Sequence, residues 1–150
     1  MVTRERLTWR SRTITKTYTE LAKLDSFEDR FRYLILKGVV GRETFGFDRY
    51  INQRFYTSRQ WRQIRQTVIA RDLGCDLGVP GYEIHQGIYI HHMNPIKPED
   101  IIEGDPAILD PEYLIAVTHD THNAIHYGDL TLLSIRALLT ERTPGDTKLW

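Results

Sequence analysis

The histidines of this chain are concentrated in one region of its sequence. All six lie in the second half, and five of them form the pair His91-His92 and then His119, His122 and His126. The pair follows a strand-like run, and the last two histidines are four residues apart, which places both side chains on one face of a helix. A histidine pair on a strand and two more on a following helix predict a divalent-metal site, so the second half must bring these two segments together.

The four histidines of this pattern are not equivalent. Neighbouring residues of an extended segment point to opposite sides, so only one of His91 and His92 can join His122 and His126 around an ion. Three protein ligands leave coordination positions open, as in catalytic rather than structural metal sites. The fourth imidazole is left as a base that can exchange protons near neutral pH.

Composition favours an ordinary globular domain. The 150 residues, with 41% apolar and 27% charged side chains, suit one domain with one core. No apolar run approaches the roughly 20 residues of a membrane span, and the N-terminus does not read as a secretory signal. A single cysteine, Cys75, excludes an internal disulfide and a cysteine zinc cage. We therefore expect no membrane association and a cytoplasmic location.

The net charge of zero hides an asymmetry between the two halves. Residues 1–75 hold 16 Lys and Arg against 8 Asp and Glu, whereas residues 76–150 hold 4 against 12. Such a split indicates either that the basic half contacts a polyanion or that the two halves pair with each other.

Capping residues and periodicity predict the secondary structure. The prediction comprises a Ser26-capped helix ended by Gly38, a Ser58-capped helix ended by Gly74, a hairpin over 82–90 turning at His85–Gly87, a strand over 113–117, a helix capped by Thr118 or Thr121 and ended by Gly128, and a final helix over 130–142. This order gives an α+β domain with a β-β-α unit at residues 86–128. Arg65 falls on the apolar side of its helix, so its guanidinium must snorkel, pair with an acid or bind an anion.

Two segments resemble the HNH endonucleases, which have the ββα-metal (His-Me finger) fold. IHHMNPI is similar to the first strand and turn of that family, and YLIAVTHDTHNAIHYG to its second strand and metal-binding helix. The match is to the variant with a His doublet and two helical histidines, as in DNase colicins, and flanking segments resemble small phage-encoded HNH proteins. The resemblance covers residues 26–150 and implies one nuclease domain there, with additional N-terminal and C-terminal helices around the ββα core. Residues 1–25 lie outside it, and their Arg, Thr and Ser content predicts a flexible arm.

The resemblance also assigns roles to individual residues. His92 matches the general base, and His91, His122 and His126 match the ligands of one divalent ion, which could be Mg, Mn, Zn or Ni. Tyr113 stands where the family has an asparagine that orients the base, and it either does this through its hydroxyl or not at all.

The implied function is metal-dependent hydrolysis of DNA phosphodiester bonds, with Arg62, Arg65 and Arg71 contacting phosphates. Phage terminase subunits are implied partners, and a phage protein would act in the bacterial cytoplasm. The alternative, favoured by Tyr113, is a non-catalytic or partner-dependent DNA-binding or packaging factor with a structural metal. A third hypothesis is that the histidines are hydrogen-bonded core residues that bind no metal.

Two further positions depart from the pattern of some family members. Thr118 and Thr121 stand where some members carry two cysteines of a structural zinc site. The resemblance therefore implies that this zinc is missing and that the N-terminal helices supply the packing instead.

Overall fold

The computed structural model describes residues 16–36 and 47–133, and this part of the chain has a mixed α+β fold. Its α-helices are α1 (Tyr18–Ala22), α2 (Phe27–Leu34), α3 (Phe47–Tyr56), α4 (Arg59–Arg71), α5 (Pro98–Ile102) and α6 (His119–Tyr127). Its strands are β1 (Cys75–Asp76), β2 (Tyr82–Glu83), β3 (Tyr89–His92) and β4 (Leu114–Val117). Among these residues, no helix is long and apolar enough to cross a membrane.

The predicted N-caps of three helices are confirmed. The side chains of Ser26, Ser58 and Thr118 each accept a hydrogen bond from a backbone N–H three residues later, at the starts of α2, α4 and α6. Gly128 ends α6 with a φ of 65°, a left-handed conformation that favours glycine. Local hydrogen bonding is therefore enough to fix where these helices begin.

Helix α2 ends earlier than predicted. The sequence placed its end at Gly38, but the helix stops at Leu34 and Ile35 turns to an extended ψ of 131°. The next residue, Leu36, donates its N–H to the carbonyl of Ile125 in α6 at 3.2 Å. The backbone of Leu36 thus makes a hydrogen bond to α6 instead of continuing the hydrogen bonds of α2.

The predicted hairpin over residues 82–90 is wrong. Strand β2 pairs with β1, and β3 pairs antiparallel with β4, in a register that sets His91 opposite Ile115 and His92 opposite Leu114. All four residues of β4 are buried. The better partner for β3 is therefore a distant buried strand rather than the segment just before it, although Gly87 does adopt a turn-like φ of 62°.

The β3–β4 sheet is covered on both faces. Leu114 and Ala116 of β4 pack with Trp61 and Val68 of α4, in a cluster completed by Phe55 and Ile108. Ile115 and Val117 face the other way, in a cluster with Leu21, Leu34, Leu36, Met93 and Ile125. Alternation along the strand therefore assigns α4 to one face and α1, α2 and α6 to the other.

The boundary of the predicted arm lies too far along the chain. Leu21 of α1 is fully buried, so residues 16–25 belong to the folded domain. Asn94 exchanges two hydrogen bonds with the backbone of Lys16, at 3.1 and 2.9 Å, which ties this segment to the chain just after β3. The start of the predicted final helix, Leu130–Leu132, is a 3-10 turn that ends at Leu133 with an extended ψ of 137°. Residues 1–15 of the arm and 134–142 of that predicted helix lie outside the described residues.

Candidate metal centre

The two adjacent histidines of β3 point to opposite faces of the sheet, as the sequence predicts. His91 shares the face of Ile115 and packs against α6, with only 1% of its surface exposed. His92 shares the face of Leu114, and its ring stacks on Trp61 of α4, with centroids 5.3 Å apart and planes at 17°. The pleat of a single strand therefore separates a buried imidazole from a half-buried one.

Three imidazoles converge between β3 and α6. His122 and His126 lie one turn apart, and their Nε2 atoms approach to 3.1 Å. The ring of His91 meets them edge-on, with centroids at 5.3 Å from His122 and 5.1 Å from His126. One ring nitrogen from each residue lies within 4.8 Å of the other two. The three residues predicted as ligands are thus brought together.

This cluster fits a metal ion by its donor chemistry. Within the described part of the chain, the buried Nε2 of His91 has no hydrogen-bond partner, which is unfavourable for a polar atom out of water. Nitrogens bound tetrahedrally to zinc would lie about 3.3 Å apart, given a Zn–N distance of about 2.0–2.1 Å. The three ring nitrogens, which lie within 4.8 Å of one another, are near that spacing, and an ion between them would satisfy the nitrogen of His91.

The electrostatics of the cluster keep its imidazoles neutral. Burial, with a smaller contribution from the neighbouring histidines, lowers the pKa of His91 well below its usual value. Burial and the adjacent His126 lower the pKa of His122 to about 4, and burial lowers the pKa of His126. Neutral imidazole is the form that binds metal, so protons compete with an ion only in acid.

Metal-free protein is expected to lose stability as the pH falls from 6.5 towards 4. The pKa of His122 drops from 6.5 to about 4 on folding, so below pH 6.5 the unfolded chain binds a proton that the folded chain does not. This contribution is complete above pH 6.5 and is lost on acidification. For one half-buried imidazole, it is about 2 kcal/mol after allowance for solvent screening.

Denaturant unfolding in the presence of a chelator, at several pH values, measures this effect. His122→Gln should flatten the pH dependence of the free energy of unfolding. His119→Gln is the matched control, because His119 lies on the same helix, is exposed and is not part of the triad. Equal pH dependence in the wild type and His122→Gln would contradict the expectation.

The contacts of His92 fix its tautomer. Its Nε2 lies 3.0 Å from the carbonyl oxygen of Ile108, and a carbonyl only accepts, so Nε2 carries the proton. The lone pair is then on Nδ1, which becomes the basic nitrogen. Sequence reasoning missed both the stacking on Trp61 and this carbonyl, since the residues concerned are 31 and 16 positions away.

Tyr113 lies close to His92 through its backbone. The carbonyl oxygen of Tyr113 accepts a hydrogen bond from the N–H of Met93 at 3.1 Å, just beyond the end of β3. The ring contact at Nε2 of His92 is made by Ile108. Orientation of His92 by the tyrosine hydroxyl therefore stays a prediction.

The three candidate DNA-binding arginines lie in different environments. Arg62 is exposed on α4. Arg65, which the sequence placed on the apolar side, donates to the carbonyl of Ile88 at 2.9 Å. Arg71 pairs with Asp72 at 2.7 Å. Its guanidinium also bonds the carbonyls of Pro111 and Leu114 and lies 3.8 Å above the ring of Tyr18. These contacts favour a structural role for Arg71.

Two buried aspartates before β2 also contact the elements of the site. Asp72 accepts the N–H of Ala116 in β4 at 2.8 Å, and Asp76 bonds Thr118 and Thr121 at the start of α6. Sequence reasoning missed both, although they are two acidic residues of the short segment DLGCDLG, because their partners lie more than 40 positions away.

The site can therefore hold one cation on one face of β3, with a proton acceptor on the other face. No model of a known protein family, no curated protein and no solved structure matches this chain. The chemistry of the site thus rests on its own residues.

Proposed function

We propose that this protein is a metal-dependent endonuclease of the HNH type, with a ββα-metal core formed by β3, β4 and α6, and that it hydrolyses DNA phosphodiester bonds. The observation that carries the proposal is the pairing of two features at one strand end. Three imidazoles meet within 4.8 Å on one side, and the adjacent His92 presents a fixed basic tautomer on the other.

His92 is the base in the proposed reaction. Its Nδ1 takes a proton from water as the water oxygen bonds to the scissile phosphorus and the bond from phosphorus to the leaving oxygen breaks; the leaving oxygen then takes a proton from solvent. The carbonyl of Ile108 holds the ring and stabilises the positive charge that develops on it. Trp61 limits the ring's rotation by stacking. His91, His122 and His126 would hold the divalent ion, which would supply positive charge to offset the negative charge of the phosphate. Imidazole ligands suit zinc or nickel better than magnesium or manganese.

DNA is proposed to approach along α4. The exposed Arg62 directly follows Trp61, the residue that stacks on His92, so a phosphate near the base would lie within reach of this helix. Arg65 is the second contact proposed, although one of its donors already bonds a carbonyl. Contacts to phosphates alone make binding sensitive to salt and only weakly dependent on sequence.

A structural metal in a non-catalytic packaging factor, with terminase subunits as partners, is the competing proposal. Structural zinc sites are normally closed by four protein ligands. Among the described residues the cluster has three, and this number supports catalysis, because it leaves positions for water and phosphate.

Nicking of supercoiled plasmid tests the proposal. Purified protein is incubated with plasmid and Mg²⁺, Mn²⁺, Zn²⁺ or Ni²⁺, and with a chelator alone. We expect conversion to the open circle with at least one ion, and none with the chelator. His122→Ala should abolish nicking, whereas His119→Ala, one turn earlier and exposed, should not. Bound metal without cleavage under any condition would favour the packaging factor instead.

A further inference from the structure

Asp76 is the most heavily hydrogen-bonded buried carboxylate near the metal centre, and the mechanism above does not use it. Its residue is 1% exposed at the end of β1. One oxygen accepts the N–H of Gly78 at 2.8 Å. The other accepts the N–H of Thr118 at 3.0 Å, its hydroxyl at 3.0 Å and the hydroxyl of Thr121 at 2.5 Å. A carboxylate is acceptor-only, so it suits a position surrounded by two backbone N–H groups and two hydroxyls. The hydroxyl of Thr118 has a second acceptor, the hydroxyl oxygen of Thr121, also at 3.0 Å.

These hydrogen bonds hold the first turn of α6, the helix that carries two of the three candidate ligands. Thr118 is the N-cap of α6, and its side-chain oxygen also accepts the N–H of Thr121 at 3.1 Å. Thr121 is 2% exposed and directly precedes His122. The rotation of Thr121 about the helix axis therefore sets the direction of the next side chain and, one turn later, of His126.

The loop around Asp76 leaves the helix little room to move. A Cβ added at Gly78 would lie 2.6 Å from the methyl group of Thr121, closer than real contacts allow. The loop backbone thus sits directly against α6 at the level of the carboxylate. The position and rotation of this helix end are fixed by shape as well as by hydrogen bonds.

We propose that Asp76 is a positioning residue for the metal centre, which sets α6 so that His122 and His126 meet His91. This inference rests on the proposed metal-binding function and deepens it. Three ligands on one ion tolerate small errors of placement poorly, and loss of a group that orients metal ligands lowers affinity by about 10- to 100-fold.

Cobalt titration of four variants tests the inference. Asp76→Asn keeps the shape of the side chain but turns one acceptor into a donor, and Thr121→Val removes one hydroxyl at nearly constant volume. We expect both to raise the Co²⁺ dissociation constant by about 10- to 100-fold and to alter the visible absorption of bound Co²⁺. Thr121→Ser restores the hydroxyl and should bind within about threefold of wild type.

Asp72→Asn is the matched control. Asp72 is a buried carboxylate of the same segment, but it bonds Ala116 of β4 rather than α6. It should lower the melting temperature yet leave the affinity of the folded protein for Co²⁺ nearly unchanged. An equal loss of affinity in Asp72→Asn and Asp76→Asn, or wild-type affinity in both Asp76→Asn and Thr121→Val, would overturn the inference.

A metal-free measurement separates this inference from the function on which it rests. In chelator-treated protein, Thr121→Val should shift the imidazole NMR signals of His122 and His126 but not those of the exposed His85. Absence of Co²⁺ binding by the wild type would overturn the proposed function alone. Unshifted signals of His122 and His126 would overturn the role of Asp76 alone.

Discussion

His92→Ala is expected to slow plasmid nicking by about 10²- to 10⁴-fold, the usual contribution of a general base. The reason is that Nε2 is committed to the carbonyl of Ile108, so the ring offers Nδ1 as the only proton acceptor that this side chain supplies. Metal affinity should change little, because His92 lies on the opposite face of β3 from the ligands. Single-turnover nicking rates and Co²⁺ titration measure the two quantities separately.

A stability measurement and a rescue experiment distinguish loss of the base from loss of folding in His92→Ala. Removing the ring also opens space beside Trp61 and Phe55, so the melting temperature must be compared, and rates must be taken where the variant is fully folded. Added imidazole should restore part of the activity of His92→Ala, because it replaces the missing base. His85→Ala, at an exposed site, should cut normally. Wild-type nicking by His92→Ala would refute the assignment of the base.

The metal ligands were predictable from the sequence because their placement depends on two local periods. A strand alternates sides at every residue, which separated His91 from His92, and a helix repeats after about four residues, which paired His122 with His126. Both helix caps around the second pair also follow from neighbouring residues. Only the meeting of strand and helix required tertiary structure, and the presence of ligand-type residues on both segments indicated it.

Strand pairing was less accessible to sequence reasoning. The hairpin predicted over 82–90 had a glycine in a suitable place, yet β3 pairs with β4, which begins 22 residues beyond the end of β3. The burial of all four β4 residues decides this pairing, and burial on both faces depends on α4 and α6 together. No local pattern carries that information.

The roles of the charged residues likewise depend on tertiary contacts that the sequence does not show. Arg62, Arg65 and Arg71 were all predicted to contact phosphates from one helix, but Arg71 bonds two backbone carbonyls and Asp72 and is partly buried. Asp76 was not predicted as a functional residue, because its partners, Thr118 and Thr121, are 42 and 45 residues away. A buried charge is recognised by its partners, and partners at that separation are fixed only by the fold.

His91→Phe is expected to abolish metal-dependent stabilisation without lowering the stability of the metal-free protein. In the wild type, a buried nitrogen without a hydrogen-bond partner among the described residues opposes folding, and such groups cost about 1–3 kcal/mol. A phenyl ring of similar shape removes that penalty and keeps the edge-on contacts with His122 and His126. The metal-free variant should therefore be as stable as the wild type or more so.

With an added ion, the wild type should become more stable than His91→Phe. At an ion concentration of 100 times the dissociation constant, binding to the folded state alone raises the free energy of unfolding by about 2.7 kcal/mol. The wild type should show this gain in denaturant unfolding with Co²⁺ or Zn²⁺, and His91→Phe should lose nearly all of it. His91→Leu provides a smaller side chain in case the phenyl ring overpacks the site. If His91 served only in packing, both variants would be less stable than the wild type without metal. They would also gain as much free energy of unfolding as the wild type when metal is added, because an ion does not change packing contacts.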